Sequence, residues 1–426
     1  MAKRKRKSFG IIKGLKRLGP GLITGASDDD PSGIATYSQT GAKYGFQLLW
    51  LAVLTLPLMI IVQEMCARLG LVTGKGLAAN VRQHHPKFII VVGVLLFATN
   101  TFNIAADLSA MGAVVQLVIP PLNQFITICS IVIISSLLQI FIMYQNYARY
   151  LKYLTLALLT YPLTVFFVPI DFKAVLVALI HPTITVSKEQ IWMLCAVLGT
   201  TISPYLFFWQ TSQEVEEKKS KKRGHNHTHH SATPNSIWWM RFDTIIGMCA
   251  TNLIMFFIIL VCGATLFKQG VTNIQDAAQA ASALKPIAGS FAEYLFALGI
   301  FGTGLLAVPV LAGSSAYGLA EAFLWKEGLN KKFKQAYGFY IIILAAMVIA
   351  LLLNLVKLDP IKTLIFAAVV NGMMAPLMLF FVIRLTSNTK VMGDKANTVW
   401  KRILGWITLG VLAISALAVV FYSVFS

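Results

Sequence analysis

The sequence predicts an all-α polytopic membrane protein with about eleven transmembrane helices. Three observations carry that reading. Apolar residues make up 57% of the 426-residue chain, about 243 residues, and eleven helices of roughly 22 residues each would use about 242. Charged residues are only 12% of the chain, half the share usual in a soluble domain. A water-facing surface around one buried core cannot be built from so few charges, which excludes a soluble enzyme, a disordered chain and a disulfide-stapled secreted scaffold. The third observation is that Lys and Arg gather on one side of the predicted crossings.

The apolar segments fall near 19–41, 47–70, 88–119, 122–144, 151–170, 188–215, 237–267, 288–323, 335–357, 361–385 and 398–425. The loops between them are mostly short, as in a bundle. The long polar interruption is 216–236, EEKKSKKRGHNHTHHSATPNS. Helices are required because each backbone polar group must be satisfied inside lipid, and the ten-residue alternating strands of a barrel are absent. The chain therefore divides into a basic segment 1–18, a core 19–385, the His/Lys-rich loop 216–236 within it, and an eleventh helix 398–425.

With the amino terminus cytoplasmic, only Lys43, Lys173, Lys188, Lys268, Lys285, Lys357 and Lys362 of the 36 Lys and Arg fall outside. The other 29 lie on the cytoplasmic side or its flanks, as the positive-inside rule requires. The carboxyl terminus is then expected outside. The same asymmetry explains the net charge of +19 without nucleic acid, since no basic face interleaved with aromatics is present. Cys66, Cys129, Cys195, Cys249 and Cys262 sit in apolar runs with no CxxC pair and read as packed thiols. No cleavage site follows a short apolar core, so no removed signal peptide is expected.

Two spans are interrupted in matching places. The first reads GPGLITGASDDDPSGIATYSQTGAKYG, in which Asp28, Asp29 and Asp30 precede Pro31. A continuous lipid-exposed helix would not tolerate them, because each buried aspartate costs about 3 kcal/mol on insertion scales. Pro31 removes a backbone donor and Gly33 frees the backbone, so the helix is expected to unwind around a polar cavity lined by carboxylates and freed carbonyls. The sixth span reads LGTTISPYLFFWQTSQEVEE, with Pro204 mid-span behind Thr200, Thr201 and Ser203. These spans open two five-span halves, about 19–170 and 188–385. Paired breaks in corresponding segments point to a secondary transporter with its site at the bilayer midplane.

The stretches GPGLITGASDDDPSGIAT, GAKYGFQLLW, VQEMCARLGLVTGKGL, ADLSAMGA and GTTISPY resemble the Nramp (natural-resistance-associated macrophage protein) metal transporters over at least the first six spans. The resemblance implies a LeuT-like 5+5 inverted repeat with helices 1 and 6 broken, and inward movement of divalent transition metals, usually with protons. It implies Asp30 as a direct metal ligand, with the carbonyls of Ser27 and Thr200 beside it. Asp28 and Asp29 are expected to hold waters or to set the local potential.

The departures from the family pattern have a direction. Gly33 stands for the family's asparagine, and Ser203 for the methionine before the sixth-helix proline. Tyr205 and Gln210 stand for two histidines, Asn100 and Ala110 for third-span acids, and Ala368 for a tenth-span glutamine, with Asn371 nearby; Asp107 remains. A thioether favours softer metals, so Ser203 leaves an all-oxygen, roomier site. Such a site suits partly hydrated Mg²⁺, which sheds water reluctantly, and resembles the Nramp-related magnesium transporter branch. The expected substrate is Mg²⁺, with Mn²⁺ close behind and Ca²⁺ compatible with oxygen ligands. Coupling to protons is expected to be weak or absent, with Asp107 the remaining acceptor.

Other residues are weighed as structural. Glu64 and Arg68 are spaced for an intrahelical ion pair. Glu214, Glu216 and Glu217 read as a solvated helix end that could line the ion exit, and His225, His227, His229 and His230 as weak surface chelators. Gln63, Asp243, Glu293 and Glu321 are given no ligand role. Competing readings are a proton-coupled Mn²⁺/Fe²⁺ symporter of the same family, an amino-acid transporter of the same fold, and an intramembrane aspartyl protease using Asp30 and Asp107. Three aspartates at the break would repel a substrate carboxylate, and the protease's Gly-x-Gly-Asp motif is absent. No cofactor beyond the transported ion is expected; the expected partners are that divalent ion and the lipid bilayer, without nucleic acid, and the compact loops point to a bacterial plasma membrane.

Overall fold

Inside a bilayer an unpaired backbone N–H or C=O is costly, so long apolar runs close their hydrogen bonds within helices. The structure, a computed structural model, describes residues 19–142, 159–183, 185, 187–223, 232–274, 280–281, 285–356 and 360–425, and no strand occurs among them. The first span is split into α1 (Pro20–Asp28) and α2 (Pro31–Tyr44). It is followed by α3 (Trp50–Thr73), the short α4 (Leu77–Arg82), α5 (Pro86–Val118) and α6 (Gln124–Phe141). The predicted fifth span lies outside the described residues up to 158; its remainder holds a helical turn, Thr160–Thr164, and a 3-10 turn, Val165–Phe167. A helix with no counterpart in the sequence reading, α7 (Phe172–Ile180), links the halves.

The second half opens on another split helix, α8 (Lys188–Thr201) and α9 (Pro204–Arg223). Then come α10 (Pro234–Ala264), α11 (Lys285–Phe323, kinked at Gly289), α12 (Tyr337–Asn354) and α13 (Pro360–Ser387), with α14 (Val399–Phe425) outside the repeat. Nine segments among the described residues are long and apolar enough to cross a membrane. The first span, split into two short helices, is not among these nine, and most of the predicted fifth lies outside the described residues. Both splits have the same cause. Pro31 and Pro204 each start a helix, where the missing N–H costs nothing, and the residue before a proline is pushed out of helical geometry. Asp30, directly before Pro31, accordingly adopts φ −65°, ψ 166°; at the second break the helix has already ended two residues before Pro204, at the α8 cap Ile202 with φ −121°, ψ 60°.

The core sits between the two halves. Among the helices, α11 packs most extensively on α5, and Trp209 of α9 stacks edge-on against Tyr317 of α11 at 6.3 Å, which meets Phe339 of α12 at 4.8 Å. The outer faces are apolar instead: Val53, Val91, Ile126, Ile133, Phe141, Leu352 and Phe421 are all exposed, as a lipid-facing surface demands. Cys129 is half-buried and Cys249 exposed on that surface, whereas Cys66, Cys195 and Cys262 are packed as expected.

Two charged features differ from the sequence reading. The Glu64–Arg68 pair exists at 3.1 Å but is the centre of a larger clamp. Glu64 also accepts from Arg241 of α10 at 2.8 Å and Lys401 of α14 at 2.5 Å. Arg68 in turn donates to the Lys395 carbonyl and to Asn397. Glu214 and Glu216 are buried rather than solvated. The reason is that α9 runs on to Arg223 through the start of the polar insert and packs on α3 and α11, so Glu216 accepts from Asn330 at 2.6 Å. The basic segment 1–18 and the histidines 225–230 lie outside the described residues.

Candidate metal centre

The two splits face each other across the middle of the bundle. Asp28, Asp29 and Asp30 are essentially inaccessible, at 0%, 0% and 1% exposure, which is costly unless something polar answers them. Two of the three find hydrogen-bond partners, and different ones. Asp30 caps α2, its Oδ1 accepting the Gly33 N–H at 2.6 Å, and its Oδ2 lies 3.5 Å from the Tyr205 hydroxyl. Asp28 Oδ2 accepts from Thr251 of α10 at 3.3 Å. Asp28 Oδ1 and both oxygens of Asp29 are buried with no hydrogen bond.

The carbonyls and hydroxyls of the breaks are drawn into the same region. The Ser27 carbonyl accepts from Tyr205 Oη at 3.1 Å. Ser203 donates to the Gly199 and Thr200 carbonyls at 2.7 and 2.8 Å, capping groups that the proline frees. Gly33 lies between the splits: a Cβ there would stand 3.2 Å from the Asp28 carbonyl and 3.3 Å from Thr200 Oγ1. Tyr37 joins the two halves through Thr201 at 3.2 Å. Met255 Sδ is approached by the hydroxyls of Thr55 at 4.0 Å and Thr201 at 3.8 Å.

The arrangement thus brings Ser27, Asp28, Asp29, Asp30, Thr200 and Ser203 to one buried region, and Asp107 of α5 lies within electrostatic reach of Asp30. Among the described residues no three His, Cys, Asp or Glu side chains converge as a closed chelate. What the region offers is oxygen: one carboxylate already oriented by Gly33, two carboxylates with unused oxygens, and carbonyls with a lone pair to spare. α1 and α8 both end here, so their negative dipole ends add to the carboxylates and favour a cation. Tyr205, Thr251 and Tyr37 were missed as site residues in the sequence. Tyr205 drew notice only as a lost histidine, although its place directly after Pro204 put it at the break.

The comparisons with known proteins agree with this architecture. The chain is 26% identical over 412 residues to the divalent metal cation transporter MntH of Klebsiella pneumoniae (strain 342), covering 93% of this chain and 92% of that protein. Its structure is similar to that of the Eremococcus coleocola manganese transporter, with a TM-score of 0.74 at 17% identity, covering 96% of this chain and 87% of that one. It also overlays Mhp1, a nucleobase-cation-symport-1 family transporter, with a TM-score of 0.53 at 12% identity, covering 95% and 93%. These likenesses show the fold to be the LeuT-like inverted repeat. Residues 21–422 match the family described as natural resistance-associated macrophage protein-like, and the chain belongs to that family.

Proposed function

We propose that this transporter carries Mg²⁺ inward in preference to Mn²⁺, by alternating access at a midplane site between the two split helices, with little or no proton coupling. The coarser statement, a multi-pass divalent metal cation transporter and not an enzyme, rests on the family and its curated relatives. The observation that carries the finer one is the donor set. Three buried aspartates stand at the first break, three of their oxygens have no hydrogen bond, and the residue before Pro204 is Ser203 rather than a thioether.

Asp30 supplies the direct carboxylate ligand, with the Ser27 and Thr200 carbonyls beside it. Ser203, whose hydroxyl donates its proton to the backbone, keeps lone pairs for an ion or for a bridging water. Asp28 and Asp29 hold waters of the ion's own shell. With Gly33 and Ser203 in place of two larger ligands, fewer protein atoms replace water, which suits an ion that dehydrates reluctantly. The segment before α1 is cytoplasmic and α14 ends outside, in a bacterial plasma membrane. The test is flux into proteoliposomes offered Mg²⁺, Mn²⁺ and Ca²⁺ separately, with a pH dye in the lumen. Mg²⁺ entry without acidification is expected. Mn²⁺ entry with acidification and no Mg²⁺ flux would instead favour the proton-coupled symporter.

A further inference from the structure

Below the breaks, the cytoplasmic half of α9 carries a polar stripe in an apolar setting. Gln210, Gln213, Glu214 and Glu217 follow the i, i+3, i+4, i+7 spacing of one helix face. The first three are buried. Gln210 Nε2 donates to Glu214 Oε1 at 3.1 Å, while Gln210 Oε1 and Gln213 Oε1 are buried without a hydrogen bond. The stripe begins beside the midplane site, five residues after Tyr205, and ends roughly 20 Å from the break by helical rise.

At its far end the stripe meets Asp243 of α10. A Cβ built on Gly19 would lie 3.6 Å from Asp243 Oδ2 and 3.6 Å from each carboxylate oxygen of Glu217, so both carboxylates converge there. The Asp243 carboxylate is already engaged. It accepts from the backbone N–H groups of Gly19 at 2.9 Å, Gly21 at 2.8 Å and Leu22 at 3.2 Å. Pro20 has no N–H, so every open donor of this first turn is held by that one side chain. Beyond the carboxylate, α1 rests on α10 backbone to backbone: a Cβ on Gly25 would stand 2.3 Å from the Gly247 carbonyl, and one on Gly247 2.1 Å from that of Gly21. Besides Asp243, the side-chain hydrogen bond between these two helices is the one from Thr251 to Asp28 at 3.3 Å, at the far end of α1 beside the break.

We propose that Gln210, Glu214, Glu217 and Asp243 form a second, transient site for a hydrated divalent cation on the cytoplasmic release path, and that an ion arriving there unlatches α1. The inference rests on the transport reading above and assigns the site that follows the midplane one. An ion released from the breaks passes the unpaired amide oxygens to the carboxylates. Once there it competes with the α1 N–H groups for Asp243, and the cytoplasmic half of α1 is freed to swing away. Ion arrival and gate opening become one event, and α1 recloses when Asp243 loses the ion.

The test places a reporter under the latch. Ile23, 2% exposed and facing the bundle, is replaced (Ile23→Cys) in a full-length chain stripped of its five native cysteines. The protein is labelled with an impermeant maleimide from the cytoplasmic face, with and without Mg²⁺ or Mn²⁺. Labelling is expected to rise severalfold with either ion. Glu217→Gln should raise the metal concentration for half-maximal labelling about tenfold, the effect of one carboxylate charge acting on a hydrated ion. Asp243→Ala should label fast without metal, and Asp243→Asn, which keeps an acceptor oxygen, should fall between. Protected cysteine in both Asp243 variants, or an unchanged metal response in Glu217→Gln while uptake continues, overturns the proposal. Absence of uptake with every divalent ion would overturn the transport reading beneath it.

Discussion

Asp30 does two jobs that a single substitution can separate. Its Oδ1 caps α2 through Gly33, and its negative charge is the feature a metal would use. Alanine removes both, at a cost of about 1 kcal/mol for the cap alone. Asn keeps the cap and loses only the charge. Uptake should therefore fall by about a hundredfold or more in Asp30→Asn, as expected when a buried charged contact worth at least about 3 kcal/mol is lost, while the melting temperature in detergent stays near that of the parent. Near-normal flux in that variant would remove Asp30 from the ligand set. Ser203 is tested by preference rather than by loss. Ser203→Met strips the hydroxyl that caps the Gly199 and Thr200 carbonyls and adds a soft sulfur, so competition uptake should shift toward Mn²⁺ by about tenfold. An unchanged ion ranking would refute the hardness argument. At this scale the sequence was half informative. Three aspartates before a proline announced themselves because burial makes them expensive, whereas Thr251 and Asp243 act across more than 200 residues of chain, and no local pattern encodes such a partnership.

Apart from the fifth span, most of which lies outside the described residues, and α9, which runs on to Arg223, the helices were legible almost to their ends, because lipid enforces long apolar runs and proline marks the splits. What escaped were elements whose cause is packing rather than patterning. α4 is too short to show a period, and its Ala79 N–H is held at 2.9 Å by Glu321 from α11. Glu214 and Glu216 read as solvated because a run of acids and lysines resembles a helix end in water; burial comes from neighbours that the run does not reveal. Glu64 is the clearest element-level case. Its spacing from Arg68 disclosed one ion pair, yet the same carboxylate ties α3 to α10 and α14. Glu64→Gln would leave the buried Arg68 guanidinium without its anion, which costs about 3–5 kcal/mol. Thermal unfolding in detergent should show that loss, whereas Lys401→Gln, removing a partner that is 20% exposed, should cost much less. Equal effects of the two changes would mean that Glu64 is not the keystone of the clamp.

At the scale of the whole molecule the question is what drives the ion. Two split helices presenting negative dipole ends and three carboxylates make a site for positive charge, and the cell interior is itself negative. A divalent ion crossing a potential of about 100 mV gains roughly 4.6 kcal/mol, enough for accumulation of about 2,000-fold with no second ion. On the proposed reading, Tyr205 and Gln210 stand where the resemblance implies histidines, the side chains that titrate in the physiological range, and Asn100 and Ala110 where it implies acids. The expected behaviour in proteoliposomes is therefore specific. With a K⁺ gradient and valinomycin setting the voltage, Mg²⁺ accumulation should rise about tenfold for each 30 mV of inside-negative potential, since two charges move together. A pH gradient imposed at clamped zero voltage should move no ion. If the pH gradient alone drives accumulation, a proton travels with the metal. Asp107, buried within electrostatic reach of Asp30 with both oxygens free of hydrogen bonds, is then the group that carries it, and Asp107→Asn should restore dependence on voltage alone.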